Sequence, residues 1–274
     1  MPELPEVETV VRGLQQTILN KTIESVSINS PKINSDNPRG WLDMLRNKSF
    51  IGVRRRGKNI LIELSDNYTL WVHLKMTGHL YYMPGKSEIN KHDLIIFNLK
   101  NDSYQLRFND YRRFGRVRFF PTDQVMNQKG LVELGPEPLE ISRRDFIGLF
   151  KSTRRMIKPA LLDQTFIAGL GNIYTDETLY LSRIHPRRLT DSLSDKKLTE
   201  LHGHIVKILK KAISLMGTSV DSYAGVNGQP GGFQKYLNVY GREGEACYRC
   251  GAIIKREKIG SRSAHFCPRC QRNR

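Results

Sequence analysis

The chain has 274 residues, with 44 Lys and Arg against 27 Asp and Glu, and this formal charge of +17 makes a polyanion the natural partner. Apolar residues make up 39% and recur in short periodic runs, which excludes a low-hydrophobicity histone-like binder and describes a core-forming chain of one large or two ordinary domains. No apolar run approaches the ~20 residues that span a bilayer, and Glu3, Glu6 and Glu8 stand where a secretory signal carries positive charge, so the expectation is an intracellular protein with no membrane partner.

Val7, Val10, Val11, Leu14 and Ile18 fall on one helical face, with Pro5 in the first turn and Glu6 and Glu8 near the positive end of the dipole. This predicted helix pins the first few residues to a rigid element. From residue 22 to about 120 the texture changes to short β-like runs, including 59–64, 68–74, 93–99, 103–108 and 115–120, separated by Gly, Asn and Asp. An antiparallel sandwich or barrel is expected there. Leu134-Gly135-Pro136-Glu137-Pro138-Leu139 breaks both periods and serves as a linker. Helical patterns follow at 156–164, 174–181 and 195–216, the last with Ser194 as N-cap and Gly217 as stop. The expected organisation is an α+β multidomain chain: a β-sandwich domain at 1–133, the linker at 134–139, a helical domain at 140–243 and a zinc finger at 244–274.

Cys247-x2-Cys250 and Cys267-x2-Cys270, sixteen residues apart, let two knuckles supply four thiolates to one tetrahedral ion, for which one structural zinc per chain is the expectation. Eight Lys or Arg against two Glu between residues 245 and 274 suit a DNA-contacting finger, although a solvated basic tail has the same composition. Gly169-Leu170-Gly171 lies between two helical patterns, where exposed N–H groups and a helix N-terminus would favour an anion; a plain packing corner is the alternative. A small Pro at position 2 permits removal of Met1, and the secondary amine so released, titrating near ~8, can attack a sugar carbon. Glu3 is next in sequence to move protons.

The opening Pro2-Glu3-Leu4-Pro5-Glu6-Val7-Glu8, Arg56-Gly57-Lys58, His73-Leu74-Lys75-Met76, Asp110-x-Arg112-Arg113-Phe114-Gly115, the linker, Gly169-Leu170-Gly171-Asn172-Ile173-Tyr174, Val239-Tyr240-Gly241-Arg242 and the cysteine finger together resemble the formamidopyrimidine-DNA glycosylase family across essentially the whole chain. The resemblance implies an N-terminal β-sandwich and a C-terminal lobe with a helix–two-turn–helix and zinc finger, acting as a monomer on damaged double-stranded DNA in the bacterial cytoplasm. It implies excision of oxidised purines by a bifunctional glycosylase and abasic lyase. Pro2 then corresponds to the Schiff-base nucleophile and Glu3 to the proton-transfer residue. Lys58 and Arg262, counted with the catalytic set, resemble phosphate contacts together with His73 and Asn172, while Met76, Arg112 and Phe114 match the trio that fills the hole left by an extruded base.

Two departures from the family pattern stand out. Around Arg262 the chain reads Ser261-Arg262-Ser263-Ala264-His265 where the family has glycines. In the lesion-recognition segment Thr218-Ser219-Val220-Asp221-Ser222-Tyr223, Asp221 stands where a basic residue is expected, and the glycines that follow suggest a mobile loop. Two alternatives remain: a superfamily member that prefers oxidised pyrimidines, disfavoured because such relatives open Pro-Glu-Gly-Pro, and a non-catalytic zinc-finger DNA-binding protein.

Overall fold

The computed structural model describes residues 1–220 and 223–273. They form two compact units, Met1–Val132 with Leu215–Gly232, and Glu133–Ser214 with Phe233–Arg274. Residues 215–232 therefore group with the sheets, not with the helical segment where the domain reading of the sequence put them.

The first unit opens with helix α1 (Leu4–Thr17) and continues through β1 (Ile23–Ile28), the short helices α2 (Pro31–Ser35) and α3 (Trp41–Leu45), β2 (Phe50–Arg56), β3 (Asn59–Leu64), β4 (Tyr68–His73), β5 (Gly78–Pro84), β6 (Asp93–Leu99), β7 (Tyr104–Asp110), β8 (Arg116–Pro121) and α4 (Thr122–Val125). The strands make two antiparallel four-stranded sheets, ordered β1-β6-β7-β5 and β2-β3-β4-β8. Ile60, Ile62, Leu70 and Val72 of one sheet and Ile95, Phe97, Leu106 and Phe108 of the other share a core with Val7, Val10, Val11 and Leu14 of α1. Each such side chain contributes roughly 1.5–3 kcal/mol on burial, so α1 is held by the face its periodicity announced. Tyr223 and Val226 belong to the same core.

The register places two crossovers side by side. Gly78, which opens β5, pairs with Asp110, which closes β7; His73, which closes β4, pairs with Arg116, which opens β8. The β4–β5 and β7–β8 connections thus leave the sheets at one end.

The second unit contains α5 (Arg143–Lys151), α6 (Ile157–Leu162), α7 (Asn172–Leu181), α8 (Asp195–Ser214), a 3-10 turn (Phe233–Tyr236) and a hairpin of β9 (Lys255–Ile259) and β10 (Arg262–Phe266). Ser142 caps α5 by accepting the Asp145 N–H. Helix α7 starts at Asn172, two residues before the apolar pattern suggested. Helix α8 stops at Ser214, ahead of Met216 and Gly217, whose φ angles of 60° and 80° are left-handed. Among the described residues no helix is long and apolar enough to cross a membrane.

Candidate active site and nucleic-acid interface

The start of the first unit is built by two carboxylates. Pro2 is buried behind Met1, which is 43% exposed. Glu3 is the N-cap of α1: its side chain accepts the N–H of Glu6, and its own N–H donates to Glu6 Oε2 at 2.8 Å, a reciprocal box that satisfies two helix-end donors. The other Glu6 oxygen, Oε1, accepts the Thr218 N–H at 2.7 Å, and the Tyr223 hydroxyl donates to the Glu6 carbonyl at 3.2 Å. One buried residue that the sequence reading had not singled out as a site thus joins Glu3 to the lesion-recognition segment. Burial, with Glu6 beside it, pushes the Tyr223 phenol above its usual range, so its hydroxyl stays a donor.

That segment is tied along its described length. Ser219 Oγ donates to the Tyr223 carbonyl at 2.7 Å and accepts the Gly231 N–H at 2.8 Å. Tyr82 of β5 donates its N–H to the Val226 carbonyl at 3.0 Å, and Gly232 donates to Leu215 at 2.7 Å. A Cβ on Gly231 would lie 2.3 Å from the Gly217 carbonyl oxygen. Here glycine answers to close backbone approach, where the sequence had suggested mobility. Thr218 is buried and Val220 is 48% exposed; Asp221 and Ser222 lie outside the described residues.

Lys58 sits in the β2–β3 turn, made possible by Gly57 at φ 58°. It is buried and bears electrostatically on His73. The Lys75 N–H donates to His73 Nδ1 at 2.9 Å, with Lys75 in the left-handed region at φ 53°. Burial first, then Lys75, Lys58 and Arg116, lower the His73 pKa to about 3. The ring is therefore neutral, and because Nδ1 accepts, Nε2 carries the proton as a single outward donor.

Met76 and Phe114 are exposed, 42% and 47%, in the adjoining β4–β5 and β7–β8 connections, and the Arg112 guanidinium lies 5.0 Å from the Phe114 ring centroid. Asp110, fully buried, staples the two connections. Its Oδ1 accepts from the Thr77 hydroxyl and from the Arg112 N–H at 3.1 Å, and its Oδ2 accepts the Gly115 N–H at 2.7 Å. A charged acceptor saturated by three donors fixes two turns that carry large exposed apolar side chains.

In the second unit Asn172 heads α7 after the glycine turn. Gln164 shapes that turn: its Nε2 donates to the Leu162 and Leu170 carbonyls, both at 2.9 Å, and its Oε1 accepts the Gly169 N–H at 2.9 Å. Gly169 has φ 86°. The Asn172 side-chain oxygen is buried and has no hydrogen-bond partner among the described residues; being an acceptor it calls for a donor, so only the Nδ2–H group of this side chain could meet a phosphate.

Arg262 is exposed at the start of β10. The tight turn before it places the positive φ, 63°, on Gly260, so Ser261 and Ser263 need no glycine. Two residues the sequence reading missed, Asp176 and Glu177, hold the segments around this hairpin, Asp176 the hairpin itself and Glu177 the chain at 238–240 that precedes it. Asp176 of α7 accepts from Lys158 Nζ and from the His265 N–H at 2.9 Å, and Lys158 also donates to the Ser263 carbonyl at 2.6 Å. Next to it Glu177, fully buried with its pKa raised by burial, accepts the Val239 and Tyr240 N–H groups at 2.8 and 2.9 Å. An Asp-Glu pair in the middle of a helix that has no basic residue, in a basic chain, is the signal that marks them.

The four cysteines bring their Sγ atoms within 4.8 Å of one another, with Cys250–Cys267 at 3.4 Å and Cys247–Cys270 at 4.0 Å. Zinc–sulfur bonds of about 2.3 Å in a tetrahedron require sulfurs about 3.8 Å apart. The four thiols fit that ion and leave no position open for chemistry.

Three family models match the chain: the formamidopyrimidine-DNA glycosylase N-terminal domain over residues 1–117, its H2TH domain over 134–224, and the zinc finger found in FPG and IleRS over 244–273. The formamidopyrimidine-DNA glycosylase of Pelotomaculum thermopropionicum is 47% identical over 277 residues, covering 99% of each chain. Among solved structures, a mutant of Lactococcus lactis FPG in complex with a Fapy-dG containing DNA superposes with a TM-score of 0.93 at 38% identity, covering 99% of this chain and 100% of that one. The wild-type Lactococcus lactis protein in complex with an oxidised-pyrimidine containing DNA gives 0.91 at 38% identity with the same coverage.

Proposed function

The chain belongs to the formamidopyrimidine-DNA glycosylase family, and we propose that it excises oxidised purines, 8-oxoguanine and formamidopyrimidines, through the amine of Pro2 and then cleaves the abasic site. It is a DNA glycosylase of base excision repair and a DNA-binding protein with one structural zinc held by Cys247, Cys250, Cys267 and Cys270. The zinc organises the finger and takes no part in the reaction. We place it as a monomer in the bacterial cytoplasm.

Removal of Met1 turns the Pro2 nitrogen from an amide into a secondary amine with a lone pair. Attack on C1′ of an extruded nucleotide forms the N–C1′ bond, and the base leaves with the glycosidic electron pair and a proton supplied through Glu3. Opening of the sugar ring gives an iminium. Loss of a C2′ proton then expels the 3′ phosphate, and a second elimination expels the 5′ phosphate, leaving a one-nucleotide gap. Lys58, the Nε2–H of His73, Asn172 and Arg262 supply donors to phosphates around the extruded nucleotide, while Met76, Arg112 and Phe114 fill the stack.

The observation that carries this reading is Glu3 capping α1 directly after buried Pro2, which sets nucleophile and proton carrier on one rigid helix start. Borohydride trapping on 8-oxoguanine duplex tests it: the mature protein cross-links, and Pro2→Gly or a Met1-retaining protein does not. Undiminished cross-linking without a free Pro2 amine refutes the nucleophile. Absence of cross-linking and excision in the mature protein leaves only a zinc-finger DNA binder. A second reading, excision of oxidised pyrimidines as well, is favoured by the Lactococcus lactis complex with such a lesion, and single-turnover rates on a lesion panel separate the two.

A further inference from the structure

Helix α7 has a second polar end. Its ten residues rise about 15 Å, so the segment after Leu181 lies well away from Asn172. There a cavity of about 260 Å³ is lined by Arg183, Arg188, Lys197 and Arg272, with His185 and Ser194. No Asp or Glu lines it. Of the acidic residues nearest in sequence, Asp191 lies 3.7 Å from Arg154 and Asp195 lies 3.6 Å from Lys151, while Glu200 pairs with Lys197 at 2.9 Å, which leaves Arg183, Arg188 and Arg272 as the lining cations without a carboxylate partner among the described residues. Ser194 immediately precedes the 20-residue α8, so the positive end of a long dipole adds to the four cations.

His185 points independently to an acceptor. It is 8% exposed, and its Nδ1 accepts the Arg187 N–H at 3.2 Å, which leaves the proton on Nε2. Among the described residues Nε2–H has no hydrogen-bond partner, although the ring lines the cavity. Burial holds the His185 pKa below the usual histidine value, with Arg187 acting in the same sense and Glu257 against it. A neutral ring thus presents one N–H donor, open to the cavity, beside the lining cations, an arrangement that a bound acceptor can meet.

We propose that this cavity binds a phosphate group, at the end of α7 opposite to Asn172. Four positive side chains, a hydroxyl and a fixed N–H donor match a compact, highly charged oxyanion with several acceptor oxygens. Two sources share that chemistry: a free oligophosphate, and a backbone phosphate of nucleic acid running beyond the lesion.

Calorimetric titration with inorganic pyrophosphate, and the salt dependence of binding to a long duplex, decide the matter for the full-length protein and its Arg188→Gln/Lys197→Gln variant. The expected result is one pyrophosphate per chain, a shift of the His185 Nε2–H resonance on addition, and at least tenfold weaker binding in the variant. If pyrophosphate does not saturate but the variant's log-log salt slope on the long duplex falls by about one per lost phosphate contact, the site stands with nucleic acid as the source. Pyrophosphate binding equal in both proteins, or neither signal, overturns it. Excision of 8-oxoguanine from a short duplex is unchanged in the variant, so failure of the glycosylase reading would appear separately, as absent excision in the wild type.

Discussion

The carboxylate of Asp176 receives the backbone N–H of His265 at 2.9 Å, and so ties α7, which begins with Asn172, to β10, which begins with Arg262. Lys158, fully buried, pairs with the same carboxylate. Removing one member of a buried ion pair costs about 3–5 kcal/mol because the other is left uncompensated. Asp176→Asn is therefore expected to destabilise the protein by that order in denaturant titrations. Asp176→Asn/Lys158→Met should recover part of the loss; equal destabilisation of single and double variants would locate the cost in the His265 contacts instead.

His73 gives a pH signature. Its pKa is lowered to about 3 in the folded protein, below the ~6.5 of an unfolded histidine. Between those values the unfolded chain binds the extra proton, so the stabilisation is present above about pH 6.5 and is lost as pH falls toward 3. His73→Gln should flatten the decline of the denaturation midpoint between pH 7 and 4, and the imidazole resonances of His73 should not titrate between pH 5 and 8. Titration with a midpoint near 6.5 would refute the arrangement.

Gly217 and Gly228 share a positive φ, 80° and 76°, but not their surroundings: a Cβ on Gly217 would lie 2.6 Å from Glu6 Oε1, whereas one on Gly228 meets nothing within 4 Å. Gly228→Ala should cost only the left-handed penalty, about 1–2 kcal/mol. Gly217→Ala should also displace the carboxylate that holds Thr218 and Glu3, lowering excision of a base lesion tenfold or more. Equal excision rates in the two variants would show that the Glu6 bridge is not needed for catalysis.

Asp110→Asn exchanges one acceptor oxygen for an NH2 that faces a donor from Thr77, Arg112 or Gly115. The expected loss is about tenfold or more on a lesion in duplex DNA, where an extruded base leaves a gap to fill, and smaller on a single-stranded abasic substrate. Equal losses on both would make Asp110 a residue of the fold alone.

The sequence exposed whatever depends on local periodicity or covalent order. Strand 59–64 and helix α1 follow from their apolar spacing, and the zinc site from two CxxC pairs, because in each the neighbours that matter are close along the chain. In the first unit the runs Ile23–Ile28, Phe50–Arg56 and Gly78–Pro84 do not stand out by alternation, and β1, β2 and β5 hold through pairing with β6, β3 and β7. The motifs likewise placed Pro2, Glu3, Lys58, His73, Asn172 and Arg262 as candidates without saying what holds them.

Tertiary structure alone decided which carboxylates became joints. Glu6, 212 residues from Thr218, and Asp110, 33 from Thr77, stood in sequence as members of motifs with no partner assigned, and Asp176, 89 from His265, as an ordinary acidic residue of a basic chain. A buried carboxylate is stable only when donors surround it, and those donors are backbone N–H groups and side chains brought in from distant segments by the packing of the sheets and helices. Residue type announced the chemistry on offer; the long-range contacts that only a folded chain has determined where each charge was desolvated and what it holds in place.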